Sequence, residues 1–405
     1  MERRGIRRAI GLWTSVGATM LFIITGCGGS SGPGSSAAPS VPNVPMLKSL
    51  DAGPEGKLNI IVWAGYAEDG SNYKDVDWVT PFEQKTHCKV NATIGNTSYE
   101  MVQLMRPGQY DGVSASGDAT LRLIYAGDVA PVNTALVPNY TSINSFLKDR
   151  SWNSVDGQMY GIPHGWGANL LMWNTSKVKP APTSWGVVFD KNSPYKGKVT
   201  AYDSPIYIAD AALYLMKHKP DLKIVNPYAL DQRQLDAAVA ILKDQRINVG
   251  EYWADYAKEV QAFNQGNSVL GTTWQVIANL VNTDHPGRVK AIIPSESSTG
   301  WSDTWMISSH AKHPVCMYKW MNWITSPRIQ AQVAEYFGEA PANPKACPLT
   351  SDKNHCAIYH ANDKPFSDSL YYWTTPTTHC LAPDTRGNVC TDYSKWTQAW
   401  TEIKG

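Results

Sequence analysis

Neither an H-E-x-x-H helix motif nor a Walker-type phosphate loop occurs in the 405 residues, so the two commonest local signatures of metalloprotease and nucleotide-hydrolase chemistry are missing. No C-x-x-C or H-x-x-x-H pair offers the closely spaced ligands of a structural zinc site. Charge of one sign is lacking as well: 36 Lys and Arg stand against 35 Asp and Glu, a formal net charge of +1. A nucleic-acid partner would need a clustered basic face, and none is present. The mostly apolar, uncharged run at residues 10–24 falls short of the ~20 residues a spanning helix needs. No solenoid-length repeat is visible, and no metal or cofactor is expected. Paired carboxylates for glycoside hydrolysis are a weak signal, because any two of 35 acids can meet across a cleft at roughly 5 to 9 Å.

What is present begins with Arg3, Arg4, Arg7 and Arg8 ahead of that apolar run, the layout of a secretion signal. It ends in Ile24-Thr25-Gly26-Cys27, which resembles the bacterial lipoprotein box, in which the cysteine is acylated and becomes the first residue of the mature chain. Two or more acyl chains anchor durably where one does not. Residues 28–56 are rich in Gly, Ser, Pro and Ala and are expected to form a disordered linker. The roughly 350 residues beyond exceed the length prior of about 100 to 200 per domain, so two lobes are expected. Six further cysteines, Cys88, Cys316, Cys347, Cys356, Cys380 and Cys390, form an even set in an exported chain. They read as disulfides, in any of 15 connectivities.

Strand-like and helix-like periods alternate through the folded region, the mark of an α/β architecture. Residues 58–63, 89–94, 110–113 and 269–274 read as strands. Residues 76–83, 99–105 and 120–126 read as helices, the last stopping at Gly127. Asp231 with Gln234 reads as a capping box ahead of Leu235, Val239 and Leu242. Sheets built this way are mostly parallel and bind ligands beyond their carboxyl ends. That is where several of the 16 tryptophans fall: Trp63, Trp166, Trp274 and Trp301 stand at or just past strand ends. An aromatic face there can hold an apolar or cationic ligand.

These residues carry a resemblance. Trp63-Ala64-Gly65-Tyr66, Tyr110-Asp111-Gly112-Val113 with Ser116, Tyr160-Gly161-Ile162-Pro163 with Trp166-Gly167, Tyr195-Lys196-Gly197, Trp274, Trp301-Ser302-Asp303 and Ala340-Pro341-Ala342-Asn343 are similar, in order, to motifs of the bacterial spermidine/putrescine-binding proteins. The resemblance implies a two-lobed type II periplasmic-binding fold, each lobe a mostly parallel sheet flanked by helices, with the ligand cleft between lobes. Lobe 1 would take residues 57–174 plus 302–346, and lobe 2 residues 175–301 plus 347–405. By proximity Cys347 pairs with Cys356 and Cys380 with Cys390, leaving Cys88 with Cys316, both of which the resemblance places in lobe 1.

The resemblance further implies no enzyme but a binding component of an ABC importer, a monomer that meets permease subunits at the membrane outside the cytoplasm. Trp63, Tyr66, Trp274 and Trp301 would enclose the ligand's methylene chain, and Asp303 would pair with an ammonium. A buried ammonium without a partner costs several kcal/mol or more, so a carboxylate is required. Two acids of the family's pattern are absent here, their places taken by Ser204 and Tyr207. Asp118 and Glu339 stand where the family has aromatics, and either acid could restore the lost charge. Asp118 is also placed to cap the helix from Thr120, and Glu339 reads equally as a solvated loop acid. A sugar or amino-acid derivative on the same scaffold is the alternative ligand class, and a secreted hydrolase the alternative function.

Overall fold

The computed structural model describes residues 40–51 and 53–405. The expected signal segment and the acylation site Cys27 lie outside the described residues. Among the described residues no helix is long and apolar enough to cross a membrane.

The strands that set the architecture are β1 (Lys57–Val62), β2 (Lys89–Ile94), β3 (Gly112–Ala115), β4 (Ile162–Asn174), β5 (Val199–Tyr202), β6 (Val249–Trp253), β7 (Leu270–Trp274) and β8 (Ser298–Ser308). They lie in the order β2-β1-β3-β8-β4-β7-β5-β6. β1 is parallel to β2 and β3, and β5 is parallel to β6 and β7. β8 runs antiparallel to both β3 and β4, and β7 is antiparallel to β4. Each half is therefore a parallel set bordered by long antiparallel strands that pass from one half to the other. Thirteen residues in β4, at about 3.3 Å each, give it the reach to do so.

The interior divides the same way. Leu58, Ile60, Val62, Phe82, Trp305 and Trp320 belong to a core on the β1 side, with Met101, Val113 and Ile124 in a second cluster there. Val199, Ile208, Leu235, Leu242, Trp396 and Ile403 form the core of the other half. β4 gives Ile162 and Trp166 to the first and Leu171 and Trp173 to the second. β8 likewise gives Trp305 to the first and Trp301 to the second.

Local signals explain the helix boundaries. Pro81 sits in the first turn of helix Val79–Thr86, where a missing N–H costs no intrahelical bond. Helix Ser98–Met105 is capped by Thr97, whose hydroxyl accepts from the Glu100 N–H. Gly127, at φ 77°, closes helix Gly117–Ala126, and both halves of the Asp231/Gln234 capping box are formed. The disulfides are Cys88–Cys316, Cys347–Cys356 and Cys380–Cys390, matching the expected pairing.

Two expected boundaries are corrected. Chain from the segment expected to be a disordered linker packs on the first half: Val44, Leu47 and Leu50 lie against its core. Asn133 donates to the Leu47 carbonyl at 3.2 Å, and Glu55 accepts from the N–H groups of Val315 and Cys316 at 3.1 and 2.7 Å. A few spaced apolar residues suffice there because the surface they meet is already built. The C-terminal segment, expected wholly in lobe 2, is split. Ala361, Leu370 and Tyr372 are buried in the first core, with Cys347, Cys356 and Phe366 packed against it. From Trp373 onward the segment joins the second core, through Trp396, Trp400 and Ile403.

Candidate functional site

Four segments deliver a buried polar cluster where β4 and β8 cross between halves. Tyr66 follows the end of β1, Ser116 follows β3, and Asp303 lies in β8 where its register against β4 shifts. Glu339 comes from the turn after helix Pro327–Phe337. The Tyr66 hydroxyl lies 2.7 Å from Asp303 Oδ2 and 2.6 Å from Glu339 Oε2. Ser116 donates to Asp303 Oδ1 at 2.5 Å. Tyr66 and Glu339 are 0 % exposed and Asp303 3 %, so the cluster is dry, and among the described residues neither acid is paired with a lysine or arginine. Burial pushes Asp303 up to about 6, against hydrogen bonds from Ser116 and Tyr66 that pull it down. Burial also lifts Glu339 well above the usual carboxylate range, with the Asp303 charge adding to the rise. Burial and the two acids hold the Tyr66 phenol well above its ordinary value.

Glycines make the room. A Cβ on Gly165 would fall onto the Glu339 carboxylate, and one on Gly167 would lie 2.8 Å from Cζ2 of Trp301. The Gly-Trp-Gly of β4 thus lets an acid and an indole lie directly on the strand. His164 is 0 % exposed, with Nε2 3.4 Å from Glu339 Oε1 and neither ring nitrogen hydrogen-bonded. Burial lowers it to about 3, so the ring is neutral.

An aromatic wall adjoins the acids. Trp301 and Trp274 meet edge to face at 6.0 Å, and Phe337 bridges to Trp301 at 6.4 Å and to Tyr66 at 4.5 Å. Trp274 also touches Tyr202 at 5.7 Å, which stacks on Trp373 at 5.3 Å. Trp274 and Trp301 border a cavity of about 320 Å³ that Trp166, Leu170, Ile292 and Phe366 help to line. The acids lie outside that lining, closed on one another through Tyr66.

Of the residues singled out from sequence, Tyr66, Ser116, Asp303 and Glu339 form one network, and Trp274 and Trp301 form the adjoining wall. Trp63 stands apart from that wall: its N–H donates to Ser114 at 3.1 Å, and its ring packs against the first-half clusters. Asp118 is 1 % exposed and accepts from Ser98 at 2.8 Å. It is not the helix N-cap; that position is Ser116, and Asp118 falls in the first turn. Burial raises its carboxyl, and its charge reaches Asp303. Glu339 is not a solvated loop acid, since Gly165 seats it in the interior. Ser204 caps a short turn, and the Tyr207 hydroxyl accepts from Gln245 at 2.9 Å, so neither replaces a missing carboxylate. Sequence reasoning missed His164, Phe337, Tyr202 and Trp373. Tyr202 ends β5 and carries the same strand-end signal as Trp274.

The arrangement turns both of its hydroxyls, on Tyr66 and Ser116, onto its carboxylates. It is a desolvated acidic pair beside stacked aromatics, which suits retention of an organic cation. Comparisons with known proteins agree on the broader class. The description of the bacterial extracellular solute-binding proteins matches residues 77–355. A putrescine-binding periplasmic protein of Pseudomonas aeruginosa is 26% identical over 311 residues, covering 72% of this chain and 82% of that protein. The spermidine/putrescine-binding periplasmic protein of Escherichia coli is 24% identical over 321 residues, covering 76% and 86%. A putative spermidine/putrescine ABC transporter structure from Listeria monocytogenes superimposes with a TM-score of 0.70 at 18% identity, covering 86% of this chain and 99% of that one. The fold is thus the two-lobed one of periplasmic solute-binding proteins, and its role is to bind a solute, not to catalyse a reaction. The chain belongs to the bacterial extracellular solute-binding proteins.

Proposed function

We propose that this chain is the lipid-anchored solute-binding component of an ABC importer and captures putrescine, spermidine or a related ammonium-bearing solute as its lobes close. The observation that carries the reading is the Asp303–Tyr66–Glu339 cluster, two buried acids on one phenol with no lysine or arginine paired to them among the described residues. Buried carboxylates without partners are costly, and an incoming ammonium supplies the missing charge. Trp274 and Trp301 supply ring faces worth about 0.5 to 2 kcal/mol per cation contact. The names of the relatives point the same way.

With Ser204 and Tyr207 in place of two family acids, the charge is gathered at one end of the site. That favours a solute with fewer amines, putrescine ahead of spermidine. The anchor rests on the box ending at Cys27, and Cys27→Ser should release the protein from membranes. Titration calorimetry with putrescine, spermidine, basic amino acids and neutral sugars tests the ligand class. Saturable binding of an amine with no heat from sugars is expected; binding of a sugar and of no amine would overturn the cation reading.

A further inference from the structure

We propose that solute capture is coupled to proton release: the free site carries one proton beyond those of a phenol and two carboxylates, held on Glu339, and the arriving ammonium displaces it. This rests on the cation reading above.

The argument is a count of hydrogens. The Tyr66 oxygen lies at 2.7 Å from one carboxylate oxygen and 2.6 Å from another. A phenol has one hydrogen to donate, and an ionised carboxylate has none. With both acids ionised, one of the two contacts would set lone pair against lone pair at hydrogen-bond distance in a dry interior. One acid must therefore donate to the phenol oxygen.

The remaining contacts identify which. Asp303 accepts from Ser116 at its other oxygen, whereas Glu339 Oε1 has no hydrogen-bond partner. The better-solvated acid keeps the charge. The network then has one consistent direction: Glu339 donates to Tyr66, Tyr66 donates to Asp303 Oδ2, and Ser116 donates to Asp303 Oδ1. Burial of both acids favours this protonated state.

Other groups around the cluster do not supply the charge. His164, on β4, is neutral by burial. Asp118, with Arg122 on the same helix, faces Asp303 as a second acid. Tyr202, ending β5, is itself held protonated by burial and these acids. His355 meets the Glu339 backbone carbonyl at 2.8 Å, not its carboxyl.

An ammonium brings three N–H donors and a positive charge. An N–H donated to Glu339 takes the place of its contact with the phenol, so both acids can accept; the Glu339 O–H bond breaks and its proton leaves to the buffer. The amine itself stays charged, because its ordinary value near 10 lies far above the working range.

The test is calorimetry of putrescine binding to the full chain at one pH in phosphate and in Tris, which differ in heat of ionisation. The expected result is a buffer-dependent heat equal to about one proton released per solute. Between about pH 5 and the value of the free-site acid, Kd should fall by about tenfold per pH unit. Glu339→Gln, whose amide donates permanently to Tyr66, should bind more weakly and with a heat that no longer depends on buffer. Equal heats in both buffers with firm binding would show that no proton is released on capture and would overturn the coupling alone. An unchanged buffer dependence in Glu339→Gln would also overturn it. Absence of amine binding by the parent protein would remove the cation reading, and this inference with it. Should Glu339→Gln fail to fold, the pH dependence of Kd in the parent protein decides the matter.

Discussion

Asp303 is held by two hydroxyls and, among the described residues, by no lysine or arginine, so its charge is available to a ligand while its geometry is already fixed. Asp303→Asn should keep the side chain's shape, turn one of its two acceptors into a donor, lose the charge, and weaken amine binding by tens to thousands of times. The basis is that breaking one desolvated ion pair costs about 2 to 5 kcal/mol of roughly 8 for a micromolar ligand. Trp301→Ala should cost less, since it removes a ring face and leaves the acid. Calorimetry on the two variants checks the order; equal binding by Asp303→Asn and its parent would end the ion-pair account. Asp303 is legible in the sequence because it stands two residues after Trp301 in a strand, where alternation turns both side chains to one face. Glu339 is legible as an acid in an unusual place, but its burial is not, because that depends on Gly165 in a strand 174 residues earlier. His164 and Phe337 give no local signal at all. Periodicity reports which face of an element is buried, not which distant segment covers it.

At the level of elements, the wall residue Trp274 is set by a relay that crosses both long strands. Its Nε1 donates to Asn169 Oδ1 of β4 at 2.9 Å, Asn169 Nδ2 donates to Thr299 Oγ1 of β8 at 2.7 Å, and Thr299 donates to Asp210 Oδ1 at 2.5 Å. An ionised Asp210 only accepts, so every donor in the chain points toward it and the Asn169 amide has one workable orientation. Asp210 lies in the first turn of helix Ile208–His218, and burial pushes it up to about 7. A carboxyl raised by folding binds its proton more tightly in the native state than in the unfolded chain. Its contribution to stability is therefore greatest below the unfolded value near 4 and is lost as pH rises through about 7. Asp210→Asn should remove that loss, so the variant gains on the parent between pH 5 and pH 8 by on the order of 2 to 4 kcal/mol. Denaturant unfolding at the two pH values measures it, and an equal pH slope in both proteins would show that Asp210 is not the titrating group. The strands and helix ends were readable from apolar period and caps, as Gly127 and the Asp231/Gln234 box show. The antiparallel passage of β4 and β8 between halves was not, because strand direction is set by topology and not by the local pattern.

For the whole molecule, two long strands alone do not fix how the halves meet; the C-terminal segment adds a third link. Trp373 donates its N–H to Gly300 at 2.7 Å, and Thr375 donates its N–H to Gly117 at 2.9 Å, while the Trp373 ring stacks on Tyr202. Beyond it, helix Tyr393–Lys404 packs Trp396, Trp400 and Ile403 into the second core. The first residue of that helix, Tyr393, lies under the Arg122 guanidinium at 4.5 Å, and Arg122 belongs to helix Gly117–Ala126, whose Leu121, Leu123 and Ile124 pack in the first half. This contact spans the halves and is no part of the Tyr66–Asp303–Glu339 network, although the Asp118 charge reaches the Tyr393 phenol. If lobe closure accompanies capture, a contact made across the closed halves raises affinity by its own worth, because the binding-competent state is more populated. A cation–π pair of about 0.5 to 2 kcal/mol corresponds to roughly 2- to 30-fold in Kd. Tyr393→Leu should therefore weaken amine binding within that range and increase the radius of gyration of the solute-free protein in small-angle scattering. Tyr393→Phe keeps a ring face for the guanidinium and should retain most of the affinity, which separates loss of the contact from damage to the helix. If Tyr393→Leu matches the parent in both affinity and radius, the Arg122–Tyr393 contact does not favour the closed form, and the link rests on Trp373 and Thr375 alone.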